Sequence, residues 1–107
     1  MTTPTNPFPT TIAAGVTWDS GPMAAWGYNK LSAAATLSQT GSLVIQRYID
    51  PACNIALGDP ITQAMTANTP ATAWVNDGQP ASGWRVTIQN TSVSTANLTN
   101  AKVLSQP

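Results

Sequence analysis

Residues Trp84–Gln89 read WRVTIQ. Apolar Trp84, Val86 and Ile88 alternate with Arg85, Thr87 and Gln89, a period of two that a helix of 3.6 residues per turn cannot gather onto one face. A strand can, because successive side chains point to opposite faces of a sheet. Working outward, the same rhythm recurs. Leu43, Ile45 and Ile49 share a parity interrupted by Arg47, with Val44, Gln46 and Tyr48 opposite. Leu31, Ala33, Ala35 and Leu37 alternate with Ser32, Ala34, Thr36 and Ser38, and the alanines are too few and too closely framed by Ser and Thr to make a helix. Thr11–Trp18, Pro60–Ala67, Ala71–Asn76 and Asn97–Leu104 are weaker candidates of the same kind. Between them stand turn formers: Asp19–Pro22, Gln39–Gly41, Asp50–Pro51, Gly58–Pro60, Asn76–Gly78 and Asn90–Ser92. Short strands punctuated about every 8 to 12 residues predict an all-β, antiparallel sandwich or barrel, read here as a sandwich. The length of 107 residues fits one domain. Residues 1–11 read as an extended arm and 12–107 as the sandwich.

The chemistry available to this sandwich is narrow. The chain has no histidine, one cysteine (Cys53) and four acidic residues, all aspartates: Asp19, Asp50, Asp59 and Asp77. With Lys30, Arg47, Arg85 and Lys102 they make a net charge of zero and a charged fraction of 7%, against about 25% in ordinary soluble domains. General acid–base catalysis needs such groups within hydrogen-bond reach of one another, and here they are scattered. The composition argues against an enzyme and for a protein that works through its surfaces. Four dispersed cations do not make a phosphate-binding patch, so nucleic acid is not expected. No apolar run approaches the roughly 20 residues of a spanning helix. Met1–Thr11 carries neither a positive nor an apolar leader region, so no secretory signal is read there. A single cysteine cannot form an internal disulfide, and without a histidine to activate it Cys53 reads as a small apolar residue. Asp50, Asn54, Asp59 and Asp77 match no calcium-loop spacing and read as turn formers, so no metal or cofactor is expected. Asn90–Ser92 and Asn97–Thr99 fit the glycosylation pattern, which without a secretory signal has no opportunity to act.

Residues that point outward carry the remaining signal. The arm MTTPTNPFPTT holds Pro4, Pro7 and Pro9, which exclude helix and central strand, and Phe8 is its only large apolar anchor. It is expected to dock on a neighbouring subunit in preference to packing as a tail on its own chain. Trp84 reads as core. Trp18 and Trp26 flank the Asp19–Pro22 turn. Trp74 has the parity of Thr72 and Asn76, opposite to Ala71, Ala73 and Val75, so it points out of the core. There it serves as a protein contact or a platform for a sugar ring; the alternative is that the alternation does not hold and Trp74 caps one end of the sandwich. Arg47 and Arg85 interrupt strands and are expected either to pair with Asp50 or Asp77 on the solvent face or to face a partner. Trp26, Arg47, Trp74 and Arg85 are thus the candidate surface residues, with Pro4, Pro7, Phe8 and Pro9 in the arm.

Taken together, GSLVIQRYID (Gly41–Asp50), ITQAMTANTPATAWVN (Ile61–Asn76), GWRVTIQNT (Gly83–Thr91) and Asn97–Leu104 occur in an order that resembles small jelly-roll-like β-sandwich structural proteins of tailed bacteriophages. The resemblance spans about residues 15–104 and consists of strands and turns, not catalytic residues. It implies a virion component: a capsid decoration (cement) protein on the head exterior, commonly a homotrimer, made in the host cytoplasm and bound to the major capsid protein. The alternative is a fibre or baseplate module that binds host glycans through exposed aromatics such as Trp74 or Trp26.

Overall fold

A computed structural model describes residues 3–25 and 30–106 and is all-β, with no helix among them. Among the described residues nine strands form: β1 (Thr11–Ile12), β2 (Thr17–Asp19), β3 (Met23–Ala24), β4 (Lys30–Leu37), β5 (Gly41–Tyr48), β6 (Ile61–Met65), β7 (Ala71–Val75), β8 (Gly83–Asn90) and β9 (Ala96–Gln106). They make two antiparallel sheets, one ordered β1-β9-β4-β7 and the other β2-β8-β5-β6, with β3 also on β8.

The pairing follows one rule. With β3 set aside, the first strand pairs the last, the second the second-to-last, and so inward: β1 with β9, β2 with β8, β4 with β7, and β5 with β6. The chain is one long antiparallel hairpin, bent so that alternate pairs fall in opposite sheets. Ladders between β4 and β9 and between β5 and β8 join the pairs.

Each long strand forms because its alternation gives both faces a place. On β4, Leu31, Ala33, Ala35 and Leu37 are buried; on β5, Leu43 and Ile45; on β8, Trp84, Val86 and Ile88. These inner faces meet as a single core with Met23, Val75, Ala96 and Val103. The twist of β9 is adjusted by one extra residue between the β4 partners Ala34 and Thr36, where Asn100 takes a left-handed φ of 53°.

Two of the weaker sequence segments divide or grow. Thr11–Trp18 is two short strands broken at Gly15, and the last strand extends to Gln106. The chain from Thr17 to Ala24 is one interrupted edge along β8. Where it breaks, Ser20 bridges the gap: its Oγ accepts the Val86 N–H at 2.9 Å, and its own N–H donates to the Val86 carbonyl.

The N-terminal segment, over its described residues, packs on its own chain. Phe8 tilts against Trp18 at 4.7 Å between ring centroids, and Trp18 Nε1 donates to the Pro7 carbonyl. The Asn6 N–H donates to the Ser20 carbonyl and the Thr5 hydroxyl to that of Pro22. Gly21 permits this approach: a Cβ there would stand 3.0 Å from Thr5 Cβ. The physical reason lies in β2, whose Trp18 is only partly buried by the sandwich and offers the arm an apolar seat.

Candidate interaction surface

The outer face of the β1-β9-β4-β7 sheet is built from the alternate positions that the core leaves over. Register places Trp74, Ser32 and Leu104 in one row across β7, β4 and β9, and Thr72, Ala34 and Lys102 in the next. The central strand thus contributes only Ser and Ala, while its neighbours contribute taller side chains. The result is a trough along β4, with walls two strand spacings apart, about 10 Å. It encloses about 610 Å³, and Pro4 and Phe8 of the arm complete its lining. Trp74 is 64% exposed and Leu104 42%. The alternation that pointed Trp74 away from the core holds, because β7 buries Ala71, Ala73 and Val75 on its other side.

The two arginines are engaged within the chain. Arg47 has the parity of Leu43 and Ile45 and lies on the inner face, 9% exposed, not on the solvent face. The core ends there, and the loop after β7 closes over the charge: Arg47 Nη1 donates to Asp77 Oδ1 at 2.9 Å and to the Gln79 carbonyl at 3.3 Å. Asp77 is one of the two partners expected from the sequence. Arg85 does point outward but pairs with Asp19 at 3.2 Å, rather than Asp50 or Asp77, and lies 6.0 Å over the Tyr48 ring. Asp19 comes within reach because β2 runs beside β8. Trp26 lies outside the described residues. Pro4, Phe8 and Pro9 are partly buried, and Pro7 is exposed.

The remaining ionisable groups act on loops. Asp50 accepts the N–H groups of Ile55 and Asn54, and the Ile55 bond leads in holding its carboxyl below the usual range. Asp77 is lowered likewise, by the Gln79 N–H and then by Arg47. Burial pushes the Cys53 thiol up, and its Sγ lies 3.6 Å from the Trp84 carbonyl. Such a thiol stays protonated and unreactive at neutral pH. Among the described residues no three of His, Cys, Asp and Glu gather where a metal could sit.

Sequence reasoning missed Ser20 and Asn90. Asn90 is fully buried, its Nδ2 donating to the Ile12 and Ser94 carbonyls and its Oδ1 accepting from Ser92. A signal was present, since Asn90 continues the inward parity of Trp84, Val86 and Ile88. Ser20 offers none; its role exists only where β2 and β3 part. No protein family matches this chain, and no curated protein matches it.

Proposed function

We propose that this protein is a non-enzymatic structural subunit, of the capsid decoration (cement) type on a phage head. The observation that carries the reading is the trough along β4: an apolar, nearly uncharged surface flanked by exposed Trp74 and Leu104. Surfaces of this kind mark contacts with other macromolecules. The charge pattern supports the same reading. Two of the four cations are held in internal ion pairs, so long-range attraction contributes little and close-fitting contact contributes most.

Strand order supports a jelly roll, the sandwich implied by the resemblance. A hairpin whose nested pairs alternate between two sheets is the winding that makes a jelly roll. Partners on this reading are further copies of the chain and the major capsid protein. The arm contributes Pro4 and Phe8 to the lining of the trough.

The test is the copy number per purified source particle, measured by quantitative mass spectrometry against the major shell protein. Decoration requires copies comparable to the shell protein; a few copies per particle, or none, would reject it.

A second reading has its own observation. The Trp74 indole stands over a trough that also carries the Ser32 and Thr72 hydroxyls and Lys102, which is a stacking platform beside hydrogen-bonding groups. A glycan-binding fibre or baseplate module predicts that host polysaccharides change Trp fluorescence and that Trp74→Ala abolishes the change. A flat titration rejects it.

A further inference from the structure

We infer that two copies of this chain join edge to edge through β7, in a two-fold arrangement centred on Ala73. The inference goes beyond the structural role proposed above and does not depend on it. It begins with what the flank lacks. β7 ends one sheet and β6, on the same flank, ends the other. A free edge presents unpaired N–H and C=O groups to any strand that approaches, and proteins commonly blunt such edges with charge, proline or a bulge. Here Ile61–Val75 contains no charged residue. Pro60 and Pro70 fall just ahead of the strands, so every residue within β6 and β7 keeps its N–H. The β4–β7 register runs unbroken from Ala71 to Val75, without a bulge.

Shape then selects the occupant. Antiparallel pairing of β7 with itself about Ala73 sets Thr72 opposite Trp74 of the second copy, and Ala71 opposite Val75. On the outer face the row Leu104–Ser32–Trp74 runs on into Thr72, Ala34 and Lys102 of that copy. The largest side chain on the edge meets Thr72 and, beyond it, the low Ala34 position, twice, by symmetry. The exposed indole therefore lies over the partner's trough, and the Ala73 side chains on the inner face are too small to clash. The two four-stranded sheets become one of eight strands. With no net charge on either copy, no long-range repulsion opposes the approach. This two-fold pairing stands against the trimer that the resemblance implied. A five-residue edge and two indoles bury less than the roughly 800 Å² per partner of a standard interface. A dissociation constant on the order of 10 µM is expected.

Sedimentation velocity of the full chain across roughly 1 to 200 µM brackets that value. The wild type is expected to pass from monomer to dimer. Trp74→Lys is expected to weaken dimerisation at least tenfold, with unchanged circular dichroism, since position 74 is mostly exposed. A mixture of Thr72→Cys and Trp74→Cys chains, oxidised together, is expected to form a mixed disulfide in greater yield than either chain alone. A monomer across the range, a trimer by native mass spectrometry, or a dimer unaffected by Trp74→Lys overturns the inference. A dimer without the mixed disulfide overturns the Ala73-centred register. Copy number on particles is read separately, so either proposal can fail alone.

Discussion

Two residues illustrate how little room this sandwich leaves at its seams. A Cβ on Gly83 would stand 2.5 Å from the Asp50 carbonyl oxygen and 2.9 Å from Cys53 Sγ, because the loop after β5 folds directly over the start of β8. Gly83→Ala is therefore expected to lower stability by about 1–3 kcal/mol, the usual cost of overpacking, as measured by urea unfolding. A change under about 0.5 kcal/mol, the scale of an uneventful surface substitution, would show that the loop yields. Asn90 is the polar counterpart. Asn90→Leu leaves the Ile12 and Ser94 carbonyls without their donor and removes the pin between the end of β1 and the β8–β9 turn. Its expected cost is about 1–3 kcal/mol, and Ile12 should show increased amide exchange. Charged residues set the acid limit. Asp50 and Asp77 have folded-state pKa values below the 3.8 of the free side chain. The stability they contribute is fully present above that value and is lost as pH falls through their lower folded values. The melting temperature is expected to hold from pH 7 to about 5 and to drop below about 4. Asp77→Asn should lower it at neutral pH, because buried Arg47 loses its carboxylate, and should flatten the acid slope. An unchanged acid slope would remove Asp77 from the account.

At the scale of elements, the arm and the sandwich edge exchange apolar surface. Phe8 covers Trp18, and three hydrogen bonds tie Thr5 and Asn6 to the turn after β2. Phe8→Ala is expected to cost about 1–3 kcal/mol through lost burial and ring contact. It should also shift Trp emission to the red as Trp18 meets water. A variant with wild-type emission would mean that the arm holds without its ring. Elements also explain which parts of the sequence were readable. β4, β5 and β8 are eight-residue strands flanked on both sides, so one face of each is buried along its length and the alternation is complete. β6 is an edge strand, exposed at four of its five positions, and carries a much weaker pattern. β3, two residues long, has no pattern and forms because Met23 and Ala24 lie beside Trp84 and Gly83.

For the whole molecule, the nested pairing joins residues far apart in sequence: Thr11 sits opposite Asn97, and Thr17 opposite Gln89. Such contacts form only after long loops close, which places all-β sandwiches among the slower two-state folders. Refolding is expected in milliseconds to seconds, as one cooperative step; a microsecond phase carrying most of the amplitude would contradict it. Sequence alone determined the strand periodicity, the inward set led by Leu31, Leu43, Ile45, Trp84, Val86 and Ile88, and the outward direction of Trp74. These follow from period two, a local property of the backbone. Tertiary structure decided that Arg47 is buried beside Asp77, that Arg85 finds Asp19, that the arm seats on Trp18, and that small Ser32 and Ala34 lie between Trp74 and Leu104 to make a trough. Each of these is a relation between strands distant in the chain. Register and sheet order bring the strands together, and neither is written in the alternation of any one strand.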